Sequence, residues 1–311
     1  MQDRILGLHH ITAIAGEAKR NYHFYTATLG LRLVKKTVNF DDPTTYHLYY
    51  GDREGSPGTI LTFFPWEGIG SGKRGPRQVT EIAFSVPEGS LEFWLKRFQT
   101  HNIIHNKLSE KFGEQYLTFI DPDGLKIEMT VAARPDYRLP WTADEIPAEH
   151  AIRGFHNITI TANQFQPTAD VLTDIFGYQL TESHVNRYRF ASDAVENASL
   201  VDIVEVPAER TGHIAGGSVH HVAFRVKDEE VLMHFRQKIE AAGLSITEKI
   251  DRNYFYSLYF REPGGVLFEL ATDNPGFVID ETVERLGTAL KLPRQYEKHR
   301  EEISAQLPAL D

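Results

Sequence analysis

A strand motif that recurs four times is the feature of this sequence that most constrains its fold. Each copy alternates apolar and polar side chains, as a strand with one buried face does. The four copies cover residues 8–14, 80–86, 155–160 and 219–226. Repeats at this spacing indicate one structural module used several times, because a single copy buries too little apolar surface to be stable alone.

Apolar residues recur at helical spacing after each of these strands. The predicted helices begin near residues 18, 91, 169 and 230, and the clearest has its apolar face at Leu91, Trp94, Leu95 and Phe98. Three helices end at a glycine that suits a left-handed cap, namely Gly30, Gly177 and Gly243. We therefore predict helices over about 18–29, 169–176 and 230–241, with the fourth around 91–98.

Short strands rich in aromatic and branched residues complete each module, at 46–50, 116–119, 188–190 and 254–260. Matching Pro-Gly turns at 121–124 and 262–265 precede final strands with an acid at the same place. The order is strand, helix and three strands. The sequence thus predicts an α+β fold of four βαβββ modules in two domains, with curled mixed sheets forming half-barrels and helices outside.

The stretch 132–153 contains three prolines and separates the second module from the third. We predict an N-terminal pair of modules over 1–134, a linker over 135–152 and a C-terminal pair over 153–275. A charged tail, helical in part, follows over 276–311.

The composition excludes several kinds of site and partner. The chain has no cysteine, which rules out disulfides, thiolate metal sites and a catalytic thiol. Its 33 basic and 43 acidic side chains give a net charge of −10, which argues against nucleic acid or an anionic membrane as partner. No stretch approaches the roughly 20 apolar residues of a membrane span, and residues 1–5 lack the apolar run of a signal peptide. We expect a cytoplasmic protein, and the sequence allows a homo-oligomer.

Aligning the modules brings polar residues into register. The inward positions of the opening strands are His10, Glu81, Asn157 and His221, and those of the closing strands are Thr62, Glu128, Asp202 and Glu269. The first and third closing registers have less support, because their hairpins lack the Pro-Gly turn. Only the first module paired with the fourth collects two histidines and one carboxylate, which are His10, His221 and Glu269.

Two imidazoles and one carboxylate, with positions left open, form the facial triad of non-haem Fe(II) oxygenases. One His-His dipeptide is a weak signal, but His-His pairs at 9–10 and 220–221 occupy the same place in two modules. The alternative for Glu269 is a salt bridge at a strand end. Its apolar neighbours at 266–268 and 270 make unpaired burial costly, so we predict a metal ligand.

The other polar set, on the second and third modules, has no histidine at these positions and is interpreted as structural hydrogen-bond partners. His156 is the alternative ligand in place of His10. It aligns one residue off the inward position, which predicts that it faces the other side of its strand. His47 has no partner at useful spacing, and we expect it at the surface. Arg187 and Arg189 alternate along a strand and are expected to be solvated.

Several longer motifs resemble those of a known family. They include LHHIT at 8–12, LVKKT at 33–37, YHLYY at 46–50, GT at 58–59, GKRG at 72–75, RGFH at 153–156, VHH at 219–221 and PGGVLFE at 263–269. The chain resembles the ring-cleaving dioxygenase branch of the glyoxalase/vicinal-oxygen-chelate superfamily, and within it the hydroquinone and chlorohydroquinone dioxygenases. The resemblance extends over residues 7–287.

This resemblance implies the same module plan and the same three ligands as the repeat alignment. It implies Fe(II) as the cofactor, with a small aromatic substrate and O2, although Mn(II), Zn or Ni would accept the same donor atoms. It also implies roles at the site for four further residues, which are Thr12, His220, Arg252 and Tyr259.

Elementary chemistry is compatible with these implied roles. Tyr259 could hydrogen-bond a phenolate, and Arg252 could hold a phenolic oxygen anionic, although both types are also common at surfaces. His220 could carry a proton, since an unperturbed imidazole has a pKa of about 6.5. In an ideal strand His220 and His221 face opposite sides, so His220 reaches a shared cavity only if the strand twists or bulges.

Two other function classes stay open at this stage. A metal-dependent lyase, isomerase or thiol transferase of the same superfamily would use a similar cage without O2. A non-catalytic module that binds a drug would not require convergent metal ligands, and the ligand set argues against it. The sequence does not define the ring substituents of the substrate.

Overall fold

The computed structural model describes residues 3–143 and 145–310. The outermost ends of the predicted N-terminal domain and tail, and Asp144 in the predicted linker, lie outside the described residues. Within the described ranges the first two modules contain the strands β1 Leu8–Ala15, β2 Arg32–Val38, β3 Tyr46–Gly51, β4 Ile60–Pro65, β5 Gln78–Val86, β6 Ser109–Lys111, β7 Glu114–Ile120 and β8 Lys126–Val131. The other two modules contain β9 Gly154–Ala162, β10 Gln179–His184, β11 Arg187–Ala191, β12 Leu200–Glu205, β13 Val219–Val226, β14 Ile250–Asp251, β15 Phe255–Arg261 and β16 Leu267–Pro275.

A helix follows the opening strand of every module, as predicted. These helices are α1 Ala18–His23, α2 Leu91–Thr100, α3 Gln166–Asp170 and α4 Glu229–Ala241. The α-helical parts of α1 and α3 are shorter than predicted, because the chain widens into a π-helix over Phe24–Thr28 and Val171–Ile175. Apolar periodicity does not distinguish these two helix types over a single turn. None of the described helices is both long and apolar enough to cross a bilayer.

The strands form two eight-stranded sheets, and each sheet combines modules that are distant in sequence. One sheet has the order β14-β15-β16-β13-β1-β4-β3-β2 and unites the first and fourth modules. The other has the order β10-β11-β12-β9-β5-β8-β7-β6 and unites the second and third. The α+β fold of four βαβββ modules is confirmed, and so is the pairing of the first module with the fourth that the metal-site prediction required.

The pairing of opening and closing strands agrees with the alignment in all four modules. Each closing position lies opposite the residue two places after the opening position, in the pairs Thr12–Thr62, Ala83–Glu128, Thr159–Asp202 and Ala223–Glu269. The two registers with less support from sequence are therefore confirmed. This constancy puts equivalent side chains at equivalent places on the two sheets.

Apolar side chains fill the space between each sheet and its helices. On α2 the residues Leu91, Trp94 and Phe98 are buried, as their helical spacing predicted, and Leu95 packs partly against the same core. Burial of each such side chain contributes on the order of 2 kcal/mol to stability. The helices therefore hold the sheets from outside, and the concave face of the first sheet stays available for polar groups.

The C-terminal segment lies along the outer strand β2. It contains single turns at Phe277–Ile279 and Val283–Arg285, a longer 3-10 turn at Arg294–His299 and the helix α5 Arg300–Gln306. A backbone bridge joins Lys36 to Leu290, which covers an otherwise open sheet edge. The domain boundaries predicted at 134 and 153 stay predictions.

Candidate metal centre

Two β-bulges shape the centre of the first sheet, where β1 and β13 run antiparallel. The pairing between these strands skips His9 in β1 and His220 in β13. A bulge places two successive residues against one partner and turns both side chains toward the same side. Each His-His pair can therefore direct both rings to one site. His220 was expected to reach the cavity only if its strand twists or bulges, and the strand does bulge there.

The structure brings the three predicted ligands together. Nε2 of His10 lies 3.2 Å from Oε2 of Glu269, and Nε2 of His221 lies 3.0 Å from the same oxygen. One ligand atom from each residue can be chosen so that all three lie within 4.8 Å of one another. All three side chains are buried, and Glu269 has no exposed surface. Among the described residues this is the group of acids and histidines that could hold a metal ion.

Hydrogen bonds to the neighbouring histidines indicate which imidazole nitrogens carry protons. Nε2 of His9 lies 3.1 Å from the carbonyl oxygen of Thr272, which only accepts, so this nitrogen carries the proton. Nδ1 of His9 must then accept from Nδ1 of His10, 2.9 Å away. Nε2 of His10 is left with a free lone pair directed at Glu269. We assign these protons from the hydrogen-bond partners.

The second His-His pair repeats this arrangement. Nδ1 of His220 lies 2.8 Å from Nδ1 of His221. Burial, and next the charge of His221, lower the pKa of His220 to about 4, so its ring is neutral near pH 7. If His221 donates through Nδ1, its Nε2 is free to bind a metal, and His220 keeps its proton on Nε2. In both pairs a second histidine holds the candidate ligand in one orientation by a hydrogen bond, as the hydrogen-bond partners of metal-binding histidines do in metalloproteins.

Glu269 has two oxygens in different surroundings. Its Oε1 accepts a hydrogen bond from the Ser257 hydroxyl, whereas Oε2 is buried and has no hydrogen-bond partner among the described residues. Burial alone would raise the pKa of this carboxyl, and positive charge on His10 and His221 would outweigh burial and hold the pKa well below its usual range. With both imidazoles neutral, a bound cation would have to supply that positive charge. A buried anionic oxygen that faces two nitrogen lone pairs is costly unless a cation lies between them. These residues therefore fit a divalent metal ion.

A cavity of about 360 Å³ opens in front of these ligands. Its aromatic wall consists of Phe40, Tyr49, Phe64, Trp66, Phe255 and Tyr259. Its polar wall consists of His10, Asn39, Asp41, His47, His220, His221 and Arg252. Such a space, apolar with a few convergent polar groups, is typical of a small-molecule site and accommodates an aromatic ring.

Three of the four further residues implied by the resemblance line this cavity: His220, Arg252 and Tyr259. Nε of Arg252 donates to the Tyr259 hydroxyl at 3.3 Å. Burial favours a neutral guanidine, but Tyr259 outweighs it and raises the pKa of Arg252, which stays charged. Burial, and next the charge of Glu269, raise the pKa of Tyr259 well above its usual range, so its hydroxyl stays protonated.

Thr12, the fourth residue, is buried behind the cavity wall rather than in it. Its hydroxyl lies 2.9 Å from that of Thr62, which occupies the position equivalent to Glu269 in the first module. Nε2 of His47 lies 2.8 Å from the same Thr62 hydroxyl. The expectation that His47 is a surface residue was wrong, since its ring is 8% exposed and lines the cavity.

Roles for His47 and Tyr49 at the site were not predicted from the sequence, although the repeat carried a signal for both. The segment YHLYY at 46–50 aligns with YSLYF at 256–260. In this alignment Tyr49 corresponds to Tyr259 and His47 corresponds to Ser257. Extending the module comparison to the middle strands would have found these residues.

The equivalent region of the second sheet is filled by ion pairs. Nη1 of Arg187 lies 3.2 Å from Asp202, and Nη2 lies 3.1 Å from Glu81. Arg189 binds Asp202 at 2.8 Å and Glu114 at 2.7 Å. Arg189 is buried and Arg187 is half-buried, so the expectation that both are solvated was wrong. These guanidinium groups balance the carboxylates at the place where the first sheet has its candidate metal ligands.

His156 belongs to this second sheet. Its Nε2 lies 2.8 Å from Glu114, and the strand pairing skips it, as it skips His9 and His220. The neighbouring strand is β5, whereas His221 and Glu269 lie on the other sheet. The structure therefore puts His10, and not His156, beside the other two candidate ligands.

A half-barrel sheet with candidate metal ligands on three of its strands is typical of a class of metalloprotein, and comparison with known proteins agrees. The chain belongs to the Glyoxalase/Bleomycin resistance protein/Dioxygenase superfamily, whose family model matches residues 7–129 and 154–270. This confirms the superfamily to which the sequence motifs pointed.

Individual relatives cover nearly the whole chain. A Bacillus subtilis (strain 168) protein assigned as a ring-cleaving dioxygenase, MhqO, is 45% identical and covers 99% of this chain and 97% of its own. A chlorohydroquinone/hydroquinone 1,2-dioxygenase from Sphingobium indicum is 35% identical, with 97% of this chain and 96% of its own covered. The crystal structure of a B. subtilis protein assigned as a dioxygenase has a TM-score of 0.95 at 43% identity, covering 100% of this chain and 99% of that one.

Proposed function

We propose that this protein is an Fe(II)-dependent ring-cleaving dioxygenase that uses O2 to open hydroquinone- or catechol-type rings. The observation that carries the proposal is the buried triad of His10, His221 and Glu269 at an aromatic-walled cavity. The names of two relatives, a ring-cleaving dioxygenase and a chlorohydroquinone/hydroquinone 1,2-dioxygenase, support the reaction class and the ring type.

The donor set favours Fe(II) as the resident metal. Two imidazoles and one carboxylate that leave coordination positions open are the set used by non-haem Fe(II) oxygenases. When bound there, Fe(II) supplies the adjacent coordination positions and the electron transfer that the reaction of a phenolate with O2 requires. Mn(II), Zn and Ni accept the same donor atoms, and metal analysis of the purified protein separates these cases.

The groups around the cavity would bind and orient the ring. Phe40, Phe64 and Trp66 provide apolar surface that excludes water from a bound ring. The charged guanidinium of Arg252 would stabilise a phenolate oxygen, and the protonated Tyr259 hydroxyl would donate to the same or a neighbouring oxygen. Each of these interactions is stronger in a cavity shielded from water than at the surface.

His220 would donate a hydrogen bond into the cavity, and Thr12 would help to position the cavity wall. If His221 donates through Nδ1, the neutral ring of His220 carries its proton on Nε2. This N–H would donate a hydrogen bond to an oxygen atom in the cavity. Thr12 acts through Thr62 and would hold the cavity wall opposite Glu269 in place.

Oxygen uptake tests the proposal. The protein is purified without O2, loaded with Fe(II), and mixed with hydroquinone, methylhydroquinone or catechol in an oxygen-electrode cell. We expect uptake of one O2 per ring and an open-chain acid as product. Glu269→Gln is expected to abolish uptake. Glu128→Gln, which changes the equivalent acid of the second module, serves as the matched control and should retain it.

The other outcomes distinguish the alternatives. A protein that binds Fe(II) but consumes no O2 with any of these rings would contradict the proposal. If it instead converted a non-aromatic substrate with Zn, Ni or Mn, it would be a lyase, isomerase or transferase of the same superfamily. If it bound aromatic compounds without a metal, it would be a binding module.

A further inference from the structure

The cavity contains a second tyrosine that is related to Tyr259 by the internal repeat. Tyr259 on β15 pairs with Glu269, and Tyr49 on β3 pairs with Thr62, the equivalent position of the first module. Both tyrosines line the cavity. The repeat thus gives the site two phenol groups, of which the proposed function uses only the one beside Arg252.

The two phenols lie on opposite flanks of the candidate ligands. In the sheet order the ligands occupy β16, β13 and β1. Tyr259 lies on β15, next to β16, whereas Tyr49 lies on β3, beyond β4 on the other side of β1. Because the sheet is curled, both flanking strands face the cavity. A ring bound between them can therefore place one substituent near Tyr259 and the opposite substituent near Tyr49.

A chain of hydrogen bonds holds the Tyr49 hydroxyl. It lies 2.8 Å from Nδ1 of His47, whose Nε2 lies 2.8 Å from the Thr62 hydroxyl. Thr62 is in turn 2.9 Å from the Thr12 hydroxyl. Burial lowers the pKa of His47 well below its usual range and raises that of Tyr49 well above it, so all four groups are neutral.

The number of protons along these hydrogen bonds determines whether the Tyr49 hydroxyl can donate or accept in the cavity. Four neutral groups carry one exchangeable proton each, and three hydrogen bonds use three of them. If the chain points toward Tyr49, its hydroxyl has a proton to donate into the cavity. If the chain points the other way, the Tyr49 oxygen keeps a lone pair and can accept. A ligand hydroxyl suits both states, because it both donates and accepts.

We infer that Tyr49, positioned by His47, binds the ring hydroxyl that lies across the ring from the one at the metal. The inference rests on the proposed function, since it presupposes an aromatic ring bound at the triad. It assigns Tyr49 a part in selecting 1,4-dihydroxy rings over rings with a single hydroxyl. Arg252 and Tyr259 would bind the ring oxygen at the metal, and Tyr49 would bind the hydroxyl on the far side of the ring.

Equilibrium binding tests this inference without relying on turnover. Fe(II)-loaded protein is titrated without O2 by isothermal calorimetry, once with hydroquinone and once with phenol. For Tyr49→Phe we expect about tenfold weaker binding of hydroquinone, the effect of losing one hydrogen bond of about 1.4 kcal/mol, and unchanged binding of phenol. Tyr50→Phe is the matched control, because its hydroxyl binds Asn21 at 2.9 Å outside the cavity. It should change neither affinity.

A second variant covers the case that Tyr49→Phe does not fold. His47→Phe keeps a buried ring but removes the partner of the Tyr49 hydroxyl, and it should also weaken hydroquinone selectively. Equal losses for both ligands, or no loss for hydroquinone, would overturn the inference and leave the proposed function standing. If the wild-type protein bound neither ligand, the proposed function would fail first.

Discussion

At the scale of single residues, the carboxylate of Glu269 depends on its neighbour Ser257. The serine hydroxyl donates to Oε1 and so directs Oε2 at the two imidazoles. Removing an outer-shell partner of this kind typically costs 10–100-fold in metal affinity. We therefore predict that Ser257→Ala weakens Fe(II) binding at least about tenfold while the fold is retained, as measured by anaerobic competition with a metal chelator.

Ser85→Ala is the matched control for this prediction. Ser85 is also a buried serine in a strand, but it lies on β5 of the other sheet. Its replacement removes the same hydroxyl group from a similar environment and should leave the affinity for Fe(II) unchanged. Equal affinities for Ser257→Ala and the wild type would mean that the serine does not orient the ligand.

The candidate ligands were predictable from the sequence because they repeat. The burial of the polar side chains around them was not predictable. His10 and His221 occupy the same place in two opening strands, and Glu269 follows a clear Pro-Gly turn, so the alignment identified them. The repeat marks the position of His47, which aligns with Ser257, but the burial of its ring depends on how far the sheet curls. The burial of Arg187 and Arg189 was equally unpredictable, because the carboxylates that pair with them lie on other strands.

At the scale of elements, two turns are capped by acids that reach into the neighbouring module. Oδ1 of Asp121 accepts from the backbone nitrogens of Asp123 and Leu125, and Oδ2 accepts from the Tyr25 hydroxyl of the first module. Glu262 does the same in the fourth module, with Thr168 of the third as the hydroxyl donor. These caps explain why each Pro-Gly turn begins with an acid.

The Asp121 cap predicts a pH dependence of stability. Burial raises the pKa of Asp121 from 3.8 to about 6, so the folded protein holds this proton more tightly than the unfolded chain. Its contribution therefore favours folding most at low pH and is lost as the pH rises from about 4 to about 6. The loss amounts to roughly 3 kcal/mol, because each pKa unit corresponds to about 1.4 kcal/mol.

Asp121→Asn removes this titration and keeps an oxygen for the two backbone nitrogens. We expect the free energy of unfolding of the variant, minus that of the wild type, to increase between pH 4 and pH 6. Urea titrations at several pH values measure this difference. Asp170→Asn, which changes an exposed acid on α3, should give a constant difference. A constant difference for Asp121→Asn as well would refute the assignment.

The strands and helices were largely predictable from the sequence. The β-bulges and π-helical turns within them were not. The opening strands, middle strands and helices lie where the periodicity put them. The bulges at His9 and His220 and the π-turns at the ends of α1 and α3 each insert one residue without altering the apolar pattern. Each insertion shifts the backbone hydrogen bonding by one residue, which the pattern of apolar residues does not reveal.

At the scale of the whole molecule, the C-terminal segment connects an ion-pair cluster to the mouth of the cavity. Nζ of the buried Lys35 lies 2.6 Å from Asp280 and 2.5 Å from Glu281. Farther along, the Tyr296 hydroxyl donates to the carbonyl of Phe40, which lines the cavity. The segment 276–310 therefore braces the loop at 39–45 as well as covering β2.

Lys35→Met tests this coupling. It leaves the nearly buried Glu281 carboxylate without its ammonium partner, and breaking a buried ion pair costs about 3–5 kcal/mol. We expect a comparable loss in the free energy of unfolding, together with faster amide hydrogen exchange in both 276–310 and 39–45. Lys36→Met, a change at the next position of the same strand, should leave both regions protected. Faster exchange in the C-terminal segment alone would mean that the cavity loop is held by its own contacts, whereas faster exchange in both would make Lys35 the anchor of the cavity mouth.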